Sequence, residues 1–232
     1  MVEIKYLYHS FFQISFDGCK ILIDPFINSK APSETNGMGQ KLIKCPAKEK
    51  DFRNINIILI THEHFDHFDK QAIEKIATTN NATVITHEFL LQQLNIPGFL
   101  KRPIHANMRF NCHGVQIAAV PVHHPQAFYP LGFVLEKQGT KIFHTGDTDL
   151  MQSFSELKAD IFLVPIGGKI TMDSVDAVRA VKIMKPRYAI PMHYNTFPLI
   201  KASPQEFKSK IEDSVLKTET VIMKPGQRKK FS

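Results

Sequence analysis

The chain has 232 residues, 43% hydrophobic and 22% charged, the balance of an ordinary soluble globule with length for one large domain or two small ones. A disordered or collagen-like chain is excluded, and apolar stretches such as 57–60 and 161–166 fall far below the ~18 residues of a membrane span. The formal net charge is +7, from 29 Lys+Arg against 22 Asp+Glu; that suits nucleic acid or an anionic substrate, but the basic residues are scattered and read most simply as a solvated surface.

Taken in order, Phe12-Gln13-Ile14-Ser15-Phe16 alternates as a half-buried strand does. Asp17-Gly18 makes a hairpin turn, residues 20–24 return as the partner strand, and Pro25 ends it. Residues 26–52 read as a long polar loop, the length of a lid or binding loop. The apolar run 57–60 suits a strand covered on both faces. A helix is expected over 69–78, with Ala72, Ile73, Ile76 and Ala77 on one face. Strands follow near 83–86, 115–122, 133–136, 141–145 and 160–164, with a short helix at 88–94. The helix at 174–184 carries Val175, Val178, Val181 and Met184 near helical spacing, and Pro186 stops it. A strand at 188–191, a helix near 204–211 and a strand near 220–223 complete the pattern. Arg228, Lys229 and Lys230 read as a frayed tail. No linker divides the chain, so one domain, 1–232, is expected. The opening MVEIKYLYHS has no basic-then-apolar signal pattern. Cys19, Cys45 and Cys112 are odd in number and lack CxxC spacing, which argues against a disulfide framework and for a reducing cytoplasm.

The unusual count is histidine, 11 residues, mostly clustered. The groups His62-x-His64-x-Asp66-His67, His123-His124, Gly146-Asp147 and His193 each follow an expected buried strand, and strand ends along one sheet edge are where α/β proteins build sites. In an extended segment alternate side chains share a face, so His62 and His64 can reach one ion. Asp66 and His67 lie past the strand and can face a second. His124, Asp147 and His193 supply the remaining donors, and a carboxylate such as Asp147 has two oxygens with which to bridge two cations. Imidazole and carboxylate donors suit zinc, manganese, iron or nickel; zinc is the first expectation, with two divalent ions per chain. Only one of His123 and His124 is expected to bind, because neighbours on a strand point to opposite faces.

THEHFDH resembles the HxHxDH signature of the metallo-β-lactamase-fold hydrolases. VHHP, HTGDT and PMHYNTF resemble that family's remaining ligand segments in the same order, over nearly the whole chain. YHSFFQI, ILIDPF, PIGGKITMDSVDA and PMHYNTFPLI look closest to the branch related to L-ascorbate-6-phosphate lactonase. The resemblance implies an α/β fold, a four-layer αβ/βα sandwich with the site along one edge. It implies His62, His64 and His124 on one metal, Asp66, His67 and His193 on the other, and Asp147 between them. It selects His124 as the histidine three residues after Pro121. Phe68-Asp69 departs from the glycine many relatives carry there, which argues against the true β-lactamase branch. Asp24 and Thr61 are candidates to orient ligating histidines and His9 to touch substrate; His144, just before the TGDT turn, is a candidate to support the ligands or touch substrate, with plain packing on its strand as the alternative. His87, His105 and His113 match no motif. Phe65, Tyr129 and Phe197 are candidate pocket-wall residues.

The expected function is a metal-dependent hydrolase that turns a hydroxide shared by two metals on a small ester, lactone or phosphoester, with Asp66 as the proton carrier. A nuclease acting on RNA or DNA is the alternative, disfavoured because 232 residues leave little room for a clamp domain. A non-enzymatic metal-binding protein of the same fold is the other. The expected partner is a small molecule, anionic ones included; no membrane is expected, and homo-oligomerisation is left open.

Overall fold

The computed structural model describes residues 1–30 and 40–232; part of the expected loop at 26–52 lies outside them. Among the described residues fourteen strands and four α-helices follow one another as β1 (Val2–Tyr8), β2 (Phe11–Phe16), β3 (Cys19–Ile23), β4 (Ile57–Leu59), α1 (Lys70–Asn80), β5 (Thr83–Thr86), α2 (Glu88–Gln93), β6 (Lys101–Pro103), β7 (Arg109–Cys112), β8 (Val115–Pro121), β9 (Leu131–Lys137), β10 (Thr140–His144), β11 (Ile161–Pro165), α3 (Ser174–Met184), β12 (Tyr188–Met192), α4 (Pro204–Glu212), β13 (Glu219–Thr220) and β14 (Arg228–Phe231). They form two seven-stranded sheets, ordered β14-β1-β2-β3-β4-β5-β6 and β13-β12-β11-β10-β9-β8-β7. Both have the same plan. The pairs from β14 to β3 and from β7 to β10 are antiparallel, and those from β3 to β6 and from β10 to β13 are parallel.

Alternation decides the layers. Along β1, Val2, Ile4 and Tyr6 face inward and join Phe12, Ile14, Ile21, Ile23, Phe133, Leu135, Ile142 and Leu163 in an apolar core between the sheets. The opposite faces carry Leu22, Ile58 and Val84 against α1 and α2, and Phe143, Phe162 and Val164 against α3 and α4. The central strands are apolar on both faces because both are covered. The result is the expected αβ/βα sandwich.

The helices start and stop on local chemistry. The Asp69 carboxylate accepts from the Ala72 N–H at the start of α1, and Asn81 closes that helix in the left-handed conformation. Asp173 caps α3 by accepting from Val175 and Asp176, and Lys185 ends it, left-handed, before Pro186; oxygen side chains at such positions satisfy orphan N–H groups. Val175 is not on the buried face of α3. It is 42% exposed, and Ala177, Val178, Ala180, Val181 and Met184 make the contact instead.

The basic C-terminal segment is not frayed. Arg228, Lys229 and Lys230 lie in β14, paired antiparallel with β1, with Phe231 opposite Val2. Strands β1, β6 and β7 also add to the sequence expectation. Among the described residues no helix is long and apolar enough to cross a membrane.

Gly167, just past β11, fixes how closely two segments approach. A Cβ there would lie 2.2 Å from the His193 carbonyl oxygen and 3.0 Å from Cβ of Ile200. Gly167→Ala must push the His193 backbone aside, and overpacking of this kind costs about 1–3 kcal/mol. Denaturant unfolding should show that loss; unchanged stability would mean the segment yields freely.

Candidate metal centre

The chemistry-bearing side chains gather at one edge, where strands from both sheets end. The β3–Pro25 corner delivers Asp24, and the turn after β4 delivers Thr61, His62, His64, Asp66 and His67. His124 follows β8, Asp147 follows β10, His193 follows β12, and His9 sits between β1 and β2. The turn after β4 folds back because the N–H groups of His67 and Phe68 both donate to the His64 carbonyl. Two backbone bonds join the sheets here: Leu131 N–H donates to Thr61 O at 3.0 Å and His193 N–H to His9 O at 3.0 Å. Gly146 makes the approach possible, since its φ is +62° and a Cβ would meet both Leu131 O and Thr61 Cβ at 2.9 Å. His9, Asp24 and His193 are themselves left-handed, at φ of 56°, 49° and 55°, a region costly for residues with a Cβ.

Asp24 orients two histidines. Its Oδ1 accepts from Thr61 N–H at 2.8 Å, and its Oδ2 accepts from Thr61 Oγ1 and His67 Nδ1, both at 2.7 Å. Thr61 has spent its one proton on Asp24, so toward His62 Nδ1, 2.9 Å away, it can only accept. His62 is therefore the Nδ1–H tautomer, with its Nε2 lone pair pointing outward. His64 Nε2 lies 3.1 Å from the Gln126 carbonyl, which accepts only, so His64 carries its lone pair on Nδ1. That atom sits 3.0 Å from His62 Nε2 and 3.2 Å from His124 Nε2. Two lone pairs facing at such a distance repel unless a cation lies between them.

The donors fall into two sets: His62, His64, His124 and Asp147, and His9, Asp66, His67 and His193, each with donor atoms within 4.8 Å of one another. Asp147 touches both. Its Oδ2 is 3.9 Å from His62 Nε2 and 3.1 Å from His193 Nε2, and its Oδ1 is 3.3 Å from His67 Nε2. Among the described residues neither of its oxygens finds a hydrogen-bond partner of good geometry, and His67 Nε2 and His193 Nε2 are likewise buried without one. Buried polar atoms are nearly always satisfied, so this cradle fits bound cations. His64 is the half-exposed member and gives the first set its opening to solvent.

Protonation fits the same picture. Burial lowers the pKa of His62, as do the charges of His67 and His64, and burial lowers that of His124. Burial and the neighbouring His193 bring His9 down to about 4. For His67 burial works the other way from the net result, because the Asp147 and Asp24 carboxylates hold its pKa well above the ordinary value. Asp147 is buried too, yet His193 and His67 keep it well below the carboxylate range. Metals bind ionised carboxylates and neutral imidazole, so a cation at His67 takes the place of the proton that the two carboxylates otherwise hold there.

His123 points away, 63% exposed, with Nδ1 2.9 Å from an Asp149 oxygen. His144 spends both ring nitrogens on backbone, Nε2 on the Ser10 carbonyl and Nδ1 on the Gly146 N–H, so it holds the turn that presents Asp147. His9 lies against Asp66, Nε2 to Oδ2 3.1 Å, with Nδ1 3.0 Å from Thr196 Oγ1. Sequence reasoning set His9 toward substrate and did not single out Thr196; no local spacing links residues this far apart. Asp69, noted only as a departure, also accepts from the N–H groups of Ile27, Asn28 and Ser29 and so pins the loop beside the site. Phe65 and Phe197 meet edge to face beside the centre, their ring centroids 5.8 Å apart. Tyr129, in contrast, lies flat on His87 at 3.7 Å.

Comparison with known proteins gives the family. Residues 3–193 match the beta-lactamase superfamily domain. A UPF0173 metal-dependent hydrolase of Pyrococcus abyssi is 36% identical, over 98% of this chain and 98% of its own. One from Alkaliphilus metalliredigens is 37% identical, over 92% and 94%. Igni18, a metallo hydrolase of Ignicoccus hospitalis, superposes with a TM-score of 0.80 at 29% identity, over 100% of this chain and 99% of that one. The chain belongs to the beta-lactamase superfamily, in the UPF0173 family of metal-dependent hydrolases.

Proposed function

We propose that the protein hydrolyses a small ester, lactone or phosphoester with two divalent metal ions, zinc in the first place. His62, His64 and His124 hold one ion, Asp66, His67 and His193 the other, and Asp147 bridges them. The observation that carries this reading is the Asp147 carboxylate, buried, without a hydrogen-bond partner among the described residues and within 3.1–3.9 Å of imidazoles from both donor sets. Both sets consist of imidazoles and carboxylates alone, which suits zinc, manganese, iron or nickel.

When bound, a pair of such ions supplies hydroxide at neutral pH and a Lewis acid for the oxygen under attack. The protein's own part is orientation. Asp24 and Thr61 hold His62 and His67 with their free nitrogens turned into the centre. Asp66, kept ionised by His9 and His67 against the cost of its burial, is the group to take and return a proton. Lactones are the first substrates to test, because the YHS and PMHYNTFPLI segments that resemble L-ascorbate-6-phosphate lactonase supply His9, His193 and Phe197 at this edge.

Elemental analysis after reconstitution should approach two transition-metal ions per chain. His62→Ala should lose metal and turnover and keep the wild-type circular dichroism; full metal and full turnover would reject the site. Of the adjacent pair, His124→Ala should lower metal affinity sharply and His123→Ala should change it little, read by chelator competition. The reverse would mean that the segment after β8 sits one residue out of register.

Asp147→Asn keeps the size of the side chain and removes its charge. The second ion should weaken more than the first, and hydrolysis should fall on the order of 10²-fold or more. Wild-type turnover with a single ion bound would favour a mononuclear hydrolase.

A further inference from the structure

A cavity of about 470 Å³ opens beside the centre, lined by Asn28, Ser29, Lys30, Lys41, Lys44 and Phe197 among others. Phe197 ties it to the chemistry: its ring centroid is 6.0 Å from that of His9 and 5.8 Å from that of Phe65, and His9 in turn is bonded to Asp66. The wall opposite is cationic.

Lys41 is the fixed member of that wall. Its ammonium lies 3.6 Å from the centroid of the Phe26 ring, a cation–π contact, and donates to Tyr8 Oη at 3.4 Å. The next residue anchors the segment, since Leu42 N–H donates to Thr196 O at 2.8 Å. Lys41 is half-buried, and burial pushes its pKa down. Among the described residues no carboxylate comes within 4.0 Å of Lys41, Lys30 or Lys44; the nearby acids are engaged elsewhere, Asp69 by backbone N–H groups and Glu49 by Asn28. An aromatic face and one phenol oxygen only partly replace the water a half-buried ammonium has lost.

We propose that this cavity is the subsite for an anionic group of the substrate, a carboxylate or phosphate, with Lys41 as its main contact and Lys30 and Lys44 as outer charges. The proposal rests on the hydrolase reading above and narrows its substrate class to small organic anions. On this reading the scissile ester or lactone lies toward the metal donors and the anionic end in the cavity at Lys41, with the buried Phe197 ring as the wall between the two. Lysine acts here as a point charge, suited to either anion.

The test uses the metal-loaded, full-length protein and two aryl esters that differ only in a carboxylate at the far end of the acyl chain. Lys41→Met keeps the aliphatic stem on Phe26 and removes the charge. The ratio of kcat/KM for the anionic over the neutral ester should fall on the order of tenfold, mainly through KM, and Lys41→Arg should restore most of it. A ratio unchanged in Lys41→Met overturns the subsite. Calorimetric titration with inorganic phosphate needs no turnover. Affinity about tenfold weaker in Lys41→Met supports the subsite, and equal affinity rejects it. Should wild type hydrolyse neither ester, the ester reading fails by itself and the phosphate titration still decides the subsite.

Discussion

A carboxylate with no access to water, Asp24, accepts three hydrogen bonds, two from Thr61 and one from His67, and the direction of the donors around it follows. Ionised carboxylates are costly to bury, and three donors are what makes this one tolerable. The consequence passes through Thr61. Its hydroxyl proton is committed to Asp24, so it fixes the tautomer of His62; the direct bond to His67 Nδ1 fixes the other. Both imidazoles then turn their second nitrogen toward Asp147, as oriented ligands do in metal sites. One side chain at the end of β3 therefore sets the chemistry of two histidines about forty residues further along.

The centre also depends on both sheets at once. The His62 set needs His124 and Asp147 from beyond β8 and β10, and the Asp66 set needs His193 from beyond β12. These halves are held in register by the apolar core between the sheets, by the two backbone bonds at Thr61 and His9 and by side-chain bonds such as that of His144 to the Ser10 carbonyl. Gly146 and Gly167 let the segments meet without a Cβ between them. Packing, not local propensity, brings the donors together.

Much of this was legible in the sequence, and what was not has physical causes. The strands expected at 57–60, 83–86 and 160–164 announced themselves because both faces are covered and the runs are largely apolar. β1 and β14 were overlooked because each carries charged residues on its solvent side: Glu3 and Lys5 alternate with Val2 and Ile4, and Arg228, Lys229 and Lys230 precede a single buried Phe231. Val175 was misplaced because helical spacing gives a stripe but not its edge. The histidine clusters stood out because strand ends keep donors within a few residues. The pairing of His9 with Asp66, and the place of Lys41 beside Phe26, join segments distant along the chain and leave no periodic trace.

His9, Asp24 and His193 all adopt positive φ, a backbone state that disfavours any side chain larger than hydrogen by on the order of 1–3 kcal/mol each. At these three positions the backbone alone would be served better by glycine, so conformational preference and chemical role pull in opposite directions. On the proposed roles of these residues, selection for activity is what would keep imidazole and carboxylate there. In a lineage released from that selection, these positions are where glycine or asparagine should accumulate first. The fold would outlive its chemistry, and the loss would be written in three residues.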